Sequence, residues 1–199
     1  MLNPHFVILG AVIAFAGNLN YLLNVLRGRT RPNRISWMMW TLAPMIIFAA
    51  QIHAGVGLRS LMTFVAGFNP LTIFIASFVN KKAVWKLTKF DFACGAFSLI
   101  GLVLWAISGQ GNIAILLSII ADGLAALPMI VKSYSHPDSE SWLNYFAAGI
   151  GGTITLLTIR TWNFANYGFP VYLVAVCLLI ASLVKFRWGL RLSAPKFRT

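Results

Sequence analysis

Seven stretches of the chain stay apolar for about the length of a membrane-spanning helix, and this limits the fold more than any other feature. They run over 6–26, 35–52, 58–79, 92–107, 113–131, 142–159 and 169–184. A hydrocarbon core roughly 30 Å thick needs about 20 apolar residues per helix. With 59% hydrophobic and only 10% charged residues, the chain is predicted to be an all-α, polytopic membrane protein with seven transmembrane helices. The opening MLNPH lacks a basic leader region, and Asn18, Asn20 and Asn24 stand where a cleavage site needs small residues. The first segment is therefore predicted to be retained. Cys94 and Cys177 fall inside apolar segments and read as buried free thiols.

A net charge of +12 would suggest nucleic acid in a soluble chain, but its distribution excludes that partner here. With the N-terminus outside, one side receives Arg27, Arg29, Arg31, Arg34, Lys81, Lys82, Lys86, Lys89 and Lys132. The tail adds Lys185, Arg187, Arg191, Lys196 and Arg198, and only Arg59 and Arg160 face the other side. Basic residues concentrate on the cytoplasmic side, so the N-terminus is expected outside and the C-terminus inside. The same charge draws that face to anionic lipid. Short loops and compact size point to the inner membrane of a bacterium. A single copy and a homo-oligomer are both open.

The chain also repeats itself. Residues 17–54 align without a gap on 122–159, at a constant offset of 105. Leu22 falls on Leu127, Pro32 on Pro137, Ser36-Trp37 on Ser141-Trp142 and Ala43 on Ala148, with Arg27 on Lys132. These identities come with a shared order of hydropathy and charge: an apolar helix, a polar turn with one proline, then Ser-Trp opening the next helix. The expected organisation is a three-helix repeat at 1–90, a linker helix at 91–111, a second three-helix repeat at 112–187 and a basic tail at 188–199. Three helices end on the side opposite their start. The linker restores the orientation, so the two repeats are parallel about an axis along the membrane normal.

This 3+1+3 arrangement, with a proline near the end of the first helix of a repeat and a short polar turn after it, resembles the PQ-loop superfamily, which includes the SWEET sugar facilitators. Pro128-Met129 stands in the place of the Pro-Gln pair in the second repeat and Leu23-Asn24 in the first, so neither repeat keeps the pair intact. The resemblance implies a carrier with hinge prolines near its inner gate and a cavity asparagine on helix 3. Pro44 and Pro128 resemble two of the four hinge prolines, Leu23 and Gly149 occupy the other two places, and Asn69 resembles the cavity asparagine.

The residues themselves point the same way. Asp122 lies in the middle of helix 5 with no cation within a turn, where a charge costs at least about 3 kcal/mol. It must be protonated, paired across helices with an Asn or Thr, or facing a wet cavity. Asn20 and Asn24 share a face of helix 1, with Asn18 turned away; Asn69 and Asn144 complete the set of intramembrane amides. Amides serve substrates or glue helices together. Trp40 sits one turn deeper than Trp37 and is the cavity candidate; Trp37 and Trp142 are expected in an interfacial belt, as are Trp85, Trp162 and Trp188. Expected cavity residues are thus Asn20, Asn24, Trp40, Asn69, Asp122 and Asn144, with Pro44, Pro128 and Gly149 as hinges.

The turn SHPDSES packs His136, Asp138 and Glu140 too closely for a catalytic constellation. It reads as a helix start capped by Asp138 or Ser139, with Glu140 in the first turn. An Arg34–Glu140 pair across the two turns would form a closed gate. No metal, cofactor or catalytic residue is expected. The reading is therefore a carrier for a small polar, neutral or zwitterionic solute, a sugar first, by facilitated diffusion or with proton coupling through Asp122. A seven-helix signalling or partner-binding protein is the alternative, marked by a dry centre with Asp122 fully satisfied. A light-driven rhodopsin would need a lysine in the middle of helix 7, and Lys185 lies at its end.

Overall fold

The computed structural model describes residues 2–80, 85–108 and 111–193. Eight α-helices account for most of them: α1 (Phe6–Leu26), α2 (Arg34–His53), α3 (Ser60–Ala76), α4 (Lys89–Ser108), α5 (Gly111–Ser135), α6 (Trp142–Leu157), α7 (Phe164–Phe186) and α8 (Trp188–Ser193). No strand occurs among the described residues. α1 to α7 overlie the seven apolar segments; α1, α2, α3, α5 and α7 are long and apolar enough to cross a membrane, α3 together with the 3₁₀ turn before it. α6, at 16 residues, is about 24 Å long. Lys81, Lys82, Lys196 and Arg198 lie outside the described residues.

Burial is the reverse of that in a water-soluble bundle. Val12, Phe92, Phe97 and Val103 are more than half exposed, whereas Asn69, Asp122, Lys132 and Glu140 are buried. Apolar surface on this scale is stable only against lipid, so the chain is an integral membrane protein.

Local signals set the helix ends. Asn33 caps α2, its side-chain oxygen accepting from the amides of Ile35 (3.1 Å) and Ser36 (3.3 Å). Gly28 (φ 72°) and Gly55 (φ 71°) stop α1 and α2 in the left-handed region that glycine enters without a Cβ clash. Asn163 caps α7 through the amide of Asn166, so that helix begins five residues earlier than the apolar run suggests and sets Pro170 in its interior. α5 likewise continues to Ser135, placing Lys132 inside a helix rather than in a loop. The expected cap of α6 is corrected: Pro137–Ser139 forms a 3₁₀ turn, Glu140 is extended, and Ser141 precedes the helix without a side-chain cap bond.

Within the first half, α3 packs on both α1 and α2; within the second, α7 packs on both α5 and α6. Across the halves α1 lies against α6 and α2 against α5. The α1–α6 join is backbone-close. A Cβ on Gly17 would stand 2.5 Å from the Ala147 Cβ, and one on Gly10 would stand 3.0 Å from the Gly151 carbonyl oxygen. Small residues allow this approach, where dispersion replaces the missing hydrophobic force. α4 leans on α5 and α2. Its Ser98 hydroxyl donates to the Ala121 carbonyl (2.5 Å), and Asp91 accepts from the Asn33 amide (2.7 Å) and the Thr88 hydroxyl (2.8 Å).

Candidate functional site: a central cavity and a charged clamp

Six helices enclose a cavity at the centre of the bundle, and water-sized spheres can place their centres in about 70 Å³ of it. One ordered water needs only about 10–15 Å³ on this measure, so a small solute or several waters can enter. Ala14 lines it from α1; Trp37, Trp40 and Pro44 from α2; Asn69 and Pro70 from α3; Asp122 from α5; Asn144 and Tyr145 from α6; and Phe169, Leu173 and Cys177 from α7. Among the described residues, none of those that line it comes from α4.

Asp122 sits near the middle of α5 and is 4% exposed. Its Oδ2 accepts from the Tyr172 hydroxyl at 2.6 Å, while Oδ1 has no partner. The partner is a phenol on α7 rather than the Asn or Thr expected. Two further cavity-lining side chains keep unpartnered buried atoms, the Asn69 carbonyl oxygen and the Trp37 indole N–H. Asn69 spends its amide N–H on the Ala14 carbonyl (3.3 Å), and the Trp40 indole N–H donates to the backbone carbonyl of Asp122 (3.3 Å). Buried polar atoms without partners are rare in folded proteins. Three of them around one cavity leave both donor and acceptor capacity for a guest.

Two prolines shape the wall. Pro44 and Pro70 carry no N–H, so each leaves the carbonyl four residues earlier, Trp40 and Ala66, without its helical donor. Trp40 and Ala66 line the cavity with them. Pro128 is buried in α5 away from the lining. Gly149 packs on α7, where an added Cβ would meet Leu178 Cδ2 at 2.9 Å.

The end of the bundle that carries the α1–α2 and α5–α6 turns is closed by a buried polar cluster. Glu140 accepts from the Tyr21 hydroxyl (2.9 Å), the Tyr145 hydroxyl (2.9 Å) and the Lys132 ammonium. Lys132, 2% exposed, also donates to the Arg31 carbonyl, and its ammonium lies 4.6 Å from the centre of the Trp85 ring. The Arg31 amide donates to the Ser139 carbonyl (3.1 Å). The turns therefore meet, but not through the expected pair. Arg34 donates to the hydroxyl (3.1 Å) and carbonyl (2.6 Å) of Ser77 and lies over the Phe78 ring. Lys132 wins the carboxylate because α5 runs a full turn past the apolar segment and carries it beneath Glu140. At the opposite end the ties are neutral or weaker: the Gln51 amide donates to the Ala165 carbonyl (3.0 Å), and Arg59 reaches the Asn166 oxygen (3.4 Å).

Trp40, Asn69, Asp122 and Asn144 thus converge on one cavity. Asn20 and Asn24 do not: Asn24 donates to Asn20 (3.2 Å) on the outer side of α1, and Ser141 adds a second bond (3.4 Å). Asn18, on the opposite face, is the buried one and donates to Thr72 of α3 (2.9 Å) as a helix-to-helix tie. Trp37 is corrected too. It is 2% exposed, with Tyr21 at 4.8 Å and Trp40 at 5.4 Å between ring centres, and belongs to the core rather than to an interfacial belt. Tyr172, Lys132 and Gln51 were missed; the signal for Tyr172 was a phenol within the apolar run 169–184. Both cysteines are buried free thiols. No family model, curated protein or solved structure matches the chain.

Proposed function

We propose that the chain is a small-solute carrier that works by alternating access, with the central cavity as its binding site. The observation that carries this reading is Asp122, buried at mid-helix in the wall of a cavity lined by six helices, with one carboxylate oxygen that has no hydrogen-bond partner. A signalling or partner-binding bundle calls for the opposite, a filled centre with that carboxylate satisfied. The packing order supports two parallel three-helix repeats, since α3 and α7 each sit between the other two helices of their half. In this reading the chain makes seven spans with α4 as linker, and the distribution of its basic residues puts the N-terminus outside and the C-terminus in the cytoplasm of a bacterial inner membrane.

Rocking of one half against the other would open the cavity at alternate ends. The Glu140 cluster closes the turn end, and the Gln51 tie holds the other. Pro44 and Pro70, with their freed carbonyls, give α2 and α3 points at which to bend. The lining offers few polar side chains, so a polyhydroxylated ring would leave hydroxyls unpaired, and this argues for a less hydroxylated solute than a sugar.

The test is counterflow uptake into proteoliposomes with labelled sugars, amino acids, nucleosides and amines, wild type beside Asp122→Asn. Saturable uptake of one class, lost in the variant, is expected. Folded, correctly inserted protein that moves none of them would end the carrier reading.

A further inference from the structure

The carboxylate of Asp122 has no cationic partner. Among the described residues the two ion pairs are Lys132–Glu140 and Arg187–Asp138, and the cavity lining contains no Lys, Arg or His. An ionised carboxylate buried without a counter-charge is unstable by several kcal/mol. Asp122 lines the cavity with Oδ2 held by the Tyr172 hydroxyl and Oδ1 without a partner, so a guest that brings positive charge supplies what the protein withholds.

The wall beside that carboxylate is aromatic. Trp37, Trp40 and Tyr145 come from two helices and all line the cavity. Trp37 and Trp40 stand 5.4 Å apart at 81°, Trp40 and Tyr145 6.3 Å at 73°, and Trp37 and Tyr145 6.4 Å at 40°. Rings so inclined form a corner rather than a stack, and present faces and edges to a common space. The Trp40 N–H to the Asp122 carbonyl fastens this corner to the carboxylate's own residue. Ring faces are negative and attract ammonium groups, the more so when water is excluded. Phe169, Leu173, Val176 and Ile180 add apolar surface from α7.

We propose that the central cavity is a binding site for a small organic ammonium ion with an apolar body, its charge held by Asp122 and by the faces of Trp37, Trp40 and Tyr145. Anions are excluded because the lining has no base to receive them. A zwitterion would find a partner for its ammonium and only neutral donors, the Trp37 N–H and the Asn144 amide, for its carboxylate. Movement of the ammonium ion across the membrane rests on the carrier reading; its binding does not.

The test uses three ligands of one skeleton: phenethylammonium, 2-phenylethanol and L-phenylalanine. Titration calorimetry on the full chain in detergent, against empty micelles, is expected to rank the cation at least about tenfold tighter than the alcohol. The cation is also expected to bind tighter than the zwitterion. Asp122→Asn should remove the preference, bringing the cation and the alcohol to similar affinity, and Asp122→Glu should retain it. If Asp122→Asn does not fold, the wild-type ranking and Asp122→Glu still decide. Equal affinity for cation and alcohol, or tighter binding of L-phenylalanine, overturns the proposal. Cation-selective binding without counterflow of labelled phenethylammonium keeps the site and removes the carrier. Uptake of another solute that phenethylammonium does not compete with keeps the carrier and overturns the site.

Discussion

Tyr21→Phe isolates one bond of the clamp at the turn end. The Tyr21 hydroxyl on α1 donates to Glu140 at 2.9 Å, and this bond joins the first half of the chain to the second. Phenylalanine keeps the ring against Trp37 and removes only the O–H, so the change is close to a pure subtraction of that bond. A hydrogen bond to a charged group contributes about 1.5–3 kcal/mol. Glu140 retains Lys132 and Tyr145 as donors, which places the loss near the lower end of that range. About 1.5 kcal/mol moves an equilibrium between closed and open turn ends roughly tenfold towards open. Cys177 reports the change, because its thiol lines the cavity. In a Cys94→Ala background, a membrane-impermeant maleimide added on the turn side should label Cys177 about tenfold faster in Tyr21→Phe than in its parent. Tyr145→Phe is the control. It removes an equal 2.9 Å bond to the same carboxylate, but within the second half, so it should lower melting temperature without a matching rise in labelling. Unchanged labelling in Tyr21→Phe, with the protein otherwise folded, would show that the cluster does not hold the halves together.

Other perturbations follow from the packing. Gly17→Val drives a side chain into Ala147 and should destabilise the α1–α6 join by about 1–3 kcal/mol, read as a lower melting temperature in detergent. Gly55→Ala, at a position with open space around it, should cost only about 1 kcal/mol from its positive φ. Asp91→Ala strands the buried Asn33 amide and should cost about 1–3 kcal/mol, with proteolysis near the α1–α2 turn as a second readout. Arg187→Gly relieves a left-handed residue at the end of α7 and forfeits an exposed ion pair, so its melting temperature should not fall.

The helices were legible because apolar run length is a direct consequence of bilayer thickness. Their ends were less so, since Asn163 and the final turn of α5 extend helices into polar sequence. Four cavity residues were legible for one reason: Trp40, Asn69, Asp122 and Asn144 are polar groups in apolar runs, and such groups are drawn to a centre. The failures have a common cause as well. Helical spacing correctly said that Asn20 and Asn24 share a face and that Asn18 does not. It could not say which face looks inward, because that is decided by the approach of Gly10 and Gly17 to α6. Trp37 could be a belt residue or a core residue until Tyr21 and Tyr145 were seen beside it. The Lys132–Glu140 pair spans a turn whose geometry no local pattern encodes, and Tyr172 became a site residue only when α7 brought it to Asp122.

The glycine seam between α1 and α6 also bears on how the molecule is made. Gly17 and Ala147 touch in the finished bundle but are 130 residues apart in the chain. At roughly 5–20 residues per second, the ribosome needs roughly 7–26 s to synthesise that interval. Throughout it, α1 stands in lipid with its narrowest flank bare, held from one side by α3. The glycine flank of α1 is thus covered only by a helix made well after it, and a chain stopped before α6 leaves that flank open.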